Sequence, residues 1–261
     1  MKKSFTINCN RSFDDIHNYG TQLIETGIYQ ACELFYPNPQ DLDQTMRYSA
    51  NIKWLQFTYP NIEFVFHLPF SEEYNIGNGE VDSVYRLEQA IIYASSFGVK
   101  RATLHPGRAK TLETREKDIK VAIKNIKQIK KFASQHNITI MLENLVSPFE
   151  FMTTLDEIIY VLHECQCGFT LDVGHAAVSG LDINEVIHKS KEYMMHTHIH
   201  DNHCESDEHL PIGSGNIDFK SILQTMQDTN YKYLYGMEAL FTTYEDLKLY
   251  AKLLDNQIEG E

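Results

Sequence analysis

The chain has 261 residues, 43% of them hydrophobic, and its 23 Lys and Arg against 36 Asp and Glu give a formal net charge of −13. A composition of this kind excludes a disordered or collagen-like chain, and the negative charge makes nucleic acid an unlikely partner. Without a long apolar run, a signal-like start or a CxxC among the five cysteines, we expect a cytoplasmic protein with reduced thiols and no membrane association.

Short β-rich runs alternate with helical patterns from one end of the chain to the other. The predicted strands are residues 5–9, 30–36, 62–69, 101–106, 138–145, 168–173, 194–199 and 234–240. The clearest helices are predicted over residues 82–97, 114–136 and 244–257, and Gly27 and Gly98 stand where helix C-termini are expected. Eight βα units without a Pro- or Ser-rich linker predict an α/β fold, a single (β/α)8 TIM barrel over residues 1–261.

In such a barrel, functional side chains lie at the carboxyl ends of the strands. Six predicted strands end in an imidazole or a carboxylate, which are His67, His105, Glu143, Asp172, His198 and Glu238. Burying these ionisable groups is costly unless they are paired or bind a cation, so they are expected to meet around bound metal. His175, Asp207 and His209 follow two of these strand ends. A donor set of imidazoles and carboxylates suits Zn²⁺, Mn²⁺, Fe²⁺ or Co²⁺.

Several motifs surround these residues. They are Phe66-His67-Leu68-Pro69, Leu104-His105-Pro106-Gly107, Leu142-Glu143-Asn144, Leu171-Asp172-Val173-Gly174-His175-Ala176, His198-Ile199-His200-Asp201, residues 207–219 and Glu238. Together they resemble the xylose-isomerase-like TIM-barrel superfamily, which includes sugar and sugar-phosphate isomerases and epimerases and the endonuclease IV family. The resemblance covers most of the chain.

The resemblance implies two ligand sets. Sugar isomerases and epimerases bind one divalent ion through the set matching Glu143, Asp172, His198 and Glu238. The endonuclease IV family adds one ion held by His67, His105 and Glu143, and another held by His175, Asp207 and His209. Because all nine positions are present, the resemblance implies between one and three ions.

The preferred interpretation is a sugar or sugar-phosphate isomerase or epimerase that transfers a proton through a metal-stabilised enediolate. By resemblance, Glu143 and Glu238 would be the acid/base pair. The alternative is an endonuclease-IV-like phosphodiesterase, in which adjacent ions activate a water. The net charge and the loops over residues 33–40 and 71–79, which carry acids and no Lys or Arg, favour the small substrate. The number of subunits stays open, with a homo-oligomer one alternative.

Other side chains near the predicted strand ends are candidates for substrate binding. His200 shares the inward parity of His198, and Arg108 follows the fourth strand, where it could bind a phosphate or carboxylate. Glu33 is either a sugar-hydroxyl acceptor or an exposed acid at a loop edge.

The sequence also predicts several features with no direct contact to substrate. His196, Trp54 and the aromatic run Phe64, Phe66 and Phe70 are expected to pack in the core. Gly213 and Gly215 lie in a turn whose backbone N–H groups could face an anionic ligand.

Overall fold

A computed structural model describes residues 1–7, 13–77 and 81–259 of the chain. Within these residues, eight parallel strands hydrogen-bond in sequence order and close into a barrel, with the last strand paired to the first. Helices follow the strands around the outside. The predicted (β/α)8 TIM barrel is confirmed.

The strands and helices have the following bounds. The strands are β1 Lys2–Ile7, β2 Ala31–Phe35, β3 Glu63–His67, β4 Arg101–Leu104, β5 Thr139–Glu143, β6 Gly168–Asp172, β7 Met194–Ile199 and β8 Leu234–Met237. The helices are α1 Phe13–Glu25, α2 Leu42–Thr58, α3 Val81–Ser95, α4 Arg115–Gln135, α5 Leu155–Cys165, α6 Val173–Val178, α7 Ile183–Ser190, α8 Phe219–Asp228 and α9 Tyr244–Glu259. A short 3₁₀ turn covers Glu72–Tyr74.

Successive side chains of each strand point alternately into the barrel interior and outward against the helices. The outward side chains, such as Leu34, Phe66 and Leu142, join the main hydrophobic core under the helices. Ala31, Val65, Met141 and Leu234 form a separate apolar cluster inside the barrel near the amino ends of their strands. Polar side chains occupy the interior above that cluster, so the chemistry lies at the carboxyl ends of the strands.

The predicted boundaries hold to within a few residues. Six predicted strands run past the observed ends, because the terminal residues belong to the loops that carry the functional side chains. Gly27 and Gly98 follow α1 and α3 with φ angles of +71° and +67°, the left-handed conformation expected after a helix. Residues 8 and 9 of the first predicted strand lie outside the described residues.

Two other expectations concern the cysteines and the membrane. Cys32, Cys165, Cys167 and Cys204, which belong to the described residues, are free thiols. Among the helices in the described part of the chain, none combines the length and apolar character needed to cross a membrane.

Candidate metal centre

The carboxyl ends of β5, β6, β7 and β8 bring four predicted ligands together in what we call the central site: Glu143, Asp172, His198 and Glu238. The Nδ1 atom of His198 lies 3.1 Å from Glu143 Oε1, 3.3 Å from Glu238 Oε2 and 3.6 Å from Asp172 Oδ2. Glu143, Asp172 and His198 are almost completely buried. One imidazole nitrogen therefore faces three carboxylates. Ligand atoms of Asp172, His198 and Glu238 lie close enough together to hold a single cation, and Glu143 lies beside them.

A second set, which we call the β3–β4 site, joins His67 and His105 to Glu143. The Nε2 atoms of both histidines lie 3.2 Å from Glu143 Oε2. Glu143 thus directs one carboxylate oxygen toward the central site and the other toward these histidines. Glu143 would therefore contribute a ligand oxygen to either site.

The third set, the β6–β7 site, consists of His175, Asp207 and His209. Asp207 Oδ2 lies 3.3 Å from His175 Nε2 and 3.1 Å from His209 Nε2. The nine predicted ligands thus lie close together at one mouth of the barrel. The possible metal-binding groups differ in detail from those implied by the resemblance, because His200 joins the third set and Glu143 also groups with Asp172 and His175.

In three histidines the Nδ1 atom is held by the backbone, which directs the Nε2 atom toward the site. The Nδ1 atoms of His67, His175 and His209 lie 2.8, 2.9 and 3.0 Å from the backbone carbonyl oxygens of Leu68, Asn144 and Glu238. A carbonyl accepts but cannot donate, so each Nδ1 carries a proton and donates it. When the ring is neutral, Nε2 presents its lone pair to a carboxylate oxygen, an arrangement that is favourable only around a cation. The donor chemistry therefore fits a metal ion.

Burial and the neighbouring charges shift the pKa values of these side chains in different directions. Burial by itself lowers the pKa of His67 and of His175, but Glu143 for the first, and Asp172 and Asp207 for the second, outweigh it and raise both values. Burial raises the pKa of Glu143, yet His198 and His105 lower it well below its usual range. Glu238 differs because burial dominates and raises its pKa.

His209 gives this cluster a measurable pH dependence. Burial lowers its pKa, but the hydrogen bond to Asp207 and the charge of Glu238 prevail and raise it to about 9. A raised histidine pKa stabilises the fold fully below its unfolded value of about 6.5, and the contribution is lost as pH rises through the folded value. Chelator-treated protein should therefore lose about 2 kcal/mol of unfolding free energy from this group between pH 6.5 and 9.5, allowing for partial solvent screening.

Urea denaturation across that pH range tests this expectation. His209→Gln should give a shallower decline, whereas the same substitution at His163, exposed on α5, should keep the wild-type slope. Equal slopes for His209→Gln and the wild type would contradict the assignment.

A layer of residues beneath the ligands holds Asp172 in place. Its Oδ1 atom accepts a hydrogen bond from His175 N at 2.6 Å, and this bond caps the amino end of α6. The same atom accepts a hydrogen bond from His200 Nε2 at 3.1 Å. A Cβ atom on Gly174 would lie 2.0 Å from the His200 ring, so the glycine is what leaves room for that ring. His200 is fully buried and stacks on His209 at 3.9 Å. This burial argues against the predicted substrate contact and indicates that His200 orients Asp172.

Glu33 also differs from expectation. It lies inside the barrel on β2 and is 1% exposed, so the interpretation as an exposed loop-edge acid is wrong. Its carboxylate lies between His198 and His196, and His196 is buried as predicted. A sugar hydroxyl could not reach Glu33 without displacing these contacts, which argues against the alternative role as well.

The rim of the site carries Arg108 and Phe70. Arg108 is half-exposed and forms an ion pair with Glu72 beside a cavity of about 160 Å³ that His105 also lines. Phe64 and Phe66 are buried as predicted, but the packing prediction is wrong for Phe70, which is 55% exposed and stacks on His105 at 4.5 Å. An aromatic face is therefore available next to a predicted ligand.

Two polar residues missed by the sequence interpretation organise the loops. Asn144 is buried, and its side chain exchanges two hydrogen bonds of 2.9 Å with the backbone of Asp172. Asp201 accepts hydrogen bonds from the N–H groups of Gly213 and Gly215 at 2.9 and 2.8 Å. The prediction that these glycines face an anionic ligand is wrong, because the buried carboxylate of Asp201 occupies the position expected for that ligand. Asn144 directly follows a predicted ligand, and Asp201 follows His200, which is the only signal the sequence offers for either.

Comparison with known proteins agrees with this architecture. An uncharacterized protein of Methanocaldococcus jannaschii is 35% identical over 139 residues, which is 52% of this chain and 54% of the relative, so the match spans about half the length of that relative. A D-tagatose 3-epimerase-like protein has a similar structure, with a TM-score of 0.78 and 22% identity, covering 99% of this chain and 100% of that chain.

A D-allulose 3-epimerase from Methylomonas sp., solved in complex with D-allulose, has a TM-score of 0.78 and 16% identity, covering 97% of this chain and 96% of the other. At these identities the structural likenesses establish the fold. The family model described as a xylose isomerase-like TIM barrel matches residues 15–254. The chain therefore belongs to the xylose isomerase-like TIM-barrel family.

Proposed function

We propose that this protein is a divalent-metal-dependent sugar or sugar-phosphate isomerase or epimerase. The observation that carries the proposal is the central site, where Glu143 and Glu238 approach the same nitrogen of His198 from strands on different sides of the barrel mouth. Two carboxylates beside one ligand position are what proton transfer at a carbon next to a carbonyl needs. The epimerases among the similar structures agree with this chemistry.

The central site has residues for metal binding and for both proton transfers. Glu143, Asp172, His198 and Glu238 would hold a divalent ion, which would supply Lewis acidity toward a substrate carbonyl. One of the two glutamates removes a proton from the carbon beside the carbonyl, and the other returns a proton to the substrate. Asp172, fixed by His200 and Asn144, keeps the site rigid during both transfers.

The mouth of the barrel suits a small anionic or neutral substrate. Arg108 and the exposed face of Phe70 border the cavity beside His105 and could bind a phosphate and the carbon skeleton of a sugar. The loops after β3 and β7 carry the acids Glu72, Glu205 and Glu208. Their charge disfavours the many phosphate contacts that a duplex substrate requires.

A second candidate, a metal-dependent phosphodiesterase, is favoured by one observation. Glu143 directs its two oxygens toward two different sites. If ions filled both, neither oxygen would be free to accept a proton from a substrate carbon, whereas a bridged pair of ions is suited to in-line phosphoryl displacement. The two functions therefore differ in how many ions the working enzyme holds.

The experiment that tests the proposal measures isotope exchange. Protein loaded with Mn²⁺, Co²⁺ or Zn²⁺ is incubated in D₂O with a panel of free and phosphorylated ketoses, and ¹H NMR follows deuterium at the carbon next to the carbonyl. We expect exchange with at least one ketose. No exchange across the panel, together with hydrolysis of bis(p-nitrophenyl) phosphate or cleavage of an abasic-site duplex, would replace the proposal with the second candidate.

Two variants sharpen the distinction. His67→Ala removes a ligand of the β3–β4 site and His209→Ala one of the β6–β7 site, while both leave the four central ligands in place. Under the proposed function, exchange persists within about tenfold of the wild-type rate, as expected for residues outside the acid/base pair. Under the second candidate, each variant loses hydrolysis along with its ion.

A further inference from the structure

His198 differs from His67, His175 and His209 in the group that holds the ring nitrogen facing away from the site. His67, His175 and His209 each donate that N–H to a backbone carbonyl. In His198 the far nitrogen is Nε2, and it lies 3.2 Å from Oε1 of Glu33. The ring is therefore held by a carboxylate on β2, deep in the barrel.

Glu33 is itself fixed on its other side. Its Oε2 atom lies 3.4 Å from Nε2 of His196, two residues before His198 on the same strand, and both residues are almost completely buried. Gly236 on β8 packs closely against this strand, because a Cβ atom there would lie 2.6 Å from the backbone oxygen of Thr197 and 3.0 Å from the His196 ring. The Nε2 atom of His198 lies 3.2 Å from both oxygens of Glu33, so the carboxylate has an imidazole nitrogen on each side.

A metal ion between these three side chains is a poorer explanation of the same contacts. They offer three ligand atoms, and one of these is the outer nitrogen of His198, whose other nitrogen already faces the central site. Hydrogen bonds of 3.2 and 3.4 Å account for the arrangement with no ion.

We propose that Glu33, held by His196, is the positioning residue of the central metal site, fixing the proton of His198 on Nε2 so that the lone pair of Nδ1 faces the ion. A carboxylate behind a ligating imidazole sets its tautomer and orientation and makes the nitrogen a stronger donor. The inference rests on the metal part of the proposed function and not on its reaction. Glu33 acts through His198 and does not touch substrate.

Histidine tautomers provide the direct test, since a merely structural carboxylate would not dictate them. In zinc-loaded wild-type protein with ¹⁵N-labelled histidine, long-range ¹H–¹⁵N spectra should show one ligating imidazole protonated on Nε2 and bound through Nδ1. The spectra should show the reverse pattern for His67, His175 and His209. A His198 that carries its proton on Nδ1 would overturn the proposal without any variant.

Zinc affinity provides the second readout. Competition with a chelator, in a background carrying His67→Ala and His209→Ala, isolates the central site. Glu33→Ala should weaken zinc binding there by about 10- to 100-fold. Glu33→Gln can still accept a hydrogen bond from His198 but lacks the charge, so its zinc affinity should lie between those of Glu33→Ala and the background protein. The matched control is Thr103→Val, which removes the buried Thr103–Thr170 hydrogen bond inside the barrel and should bind zinc as the background does.

The outcomes separate this inference from the proposed function. If the background protein binds zinc and Glu33→Ala, folded by circular dichroism, binds it equally well, the role of Glu33 is refuted. If even wild-type protein binds no divalent ion, the metal centre itself fails. Zinc bound with the expected tautomers but no isotope exchange would reject the isomerase and leave the role of Glu33 intact.

Discussion

Glu143→Gln should lower the rate of solvent isotope exchange by about 10³- to 10⁴-fold, the upper range for loss of a group that both binds metal and moves a proton. The amide keeps the shape of the carboxylate but cannot accept a proton. It also offers one neutral oxygen in place of the two charged ones that face His198 on one side and His67 and His105 on the other. Metal analysis of the purified variant should accordingly show fewer bound ions than in the wild type.

Glu164→Gln is the matched control, because it makes the same change on the outer surface of α5, where Glu164 pairs with Lys127. We expect wild-type exchange and wild-type metal content for it. Exchange in Glu143→Gln within tenfold of the control would remove Glu143 from the proton transfer. An unchanged ion count would in addition show that Glu143 does not bridge two sites.

The sequence predicted the barrel, and the meeting of the strand-end side chains at one mouth, for one physical reason. In a closed parallel barrel all carboxyl strand ends meet at one mouth, so residues distant in sequence, such as His67 and Glu238, are forced together by topology alone. Alternation along the strands then decides which side chains face inward. These two rules bring the six predicted strand-end residues to one mouth and place His196 in the core, whereas the ligand set of His175, Asp207 and His209 was implied by the family resemblance.

The two rules do not predict how deep a side chain lies in the barrel, or which of several acceptors a backbone N–H group binds. Alternation places Glu33 on the inner face but does not say how far below the mouth it lies, which depends on the stagger of neighbouring strands. The turn at Gly213 and Gly215 has the composition of an anion site, yet the nearest acceptor, Asp201, belongs to the chain itself. Phe70 looks like a packing residue because its sequence neighbours are buried, but it lies beyond the end of β3 and escapes the core.

Four buried polar residues near the candidate site share a feature. Glu33, His196, His200 and Asp201 are polar, almost fully buried, and make their contacts mainly with other polar groups of the chain. Such groups are costly in a core unless they are paired or bind a cation, and their concentration below the mouth supports the proposed metal site.

Asp172→Ala should show that cost directly. Asp172 has 0% exposure, caps α6 through His175 N and accepts from His200 Nε2. Burial raises the pKa of Asp172, but His175 and His200 lower it well below its usual range, so favourable contacts of the carboxylate outweigh its burial and its repulsion by neighbouring acids. Its removal should destabilise the chelator-treated protein by about 3–5 kcal/mol, the range for breaking a buried charged pair.

The size of that effect distinguishes a buried network from a simple helix cap. Asp182 caps α7 by accepting from Glu185 N at 3.1 Å in a solvent-exposed setting, so Asp182→Ala should cost only about 1 kcal/mol. Without Asp172, the other carboxylate near His200 Nε2, Asp207 Oδ1, is 3.7 Å away and too distant for a hydrogen bond. Urea denaturation of the two variants at pH 6 measures the difference, and equal losses would mean that His200 finds another partner and that Asp172 serves the fold only as a cap.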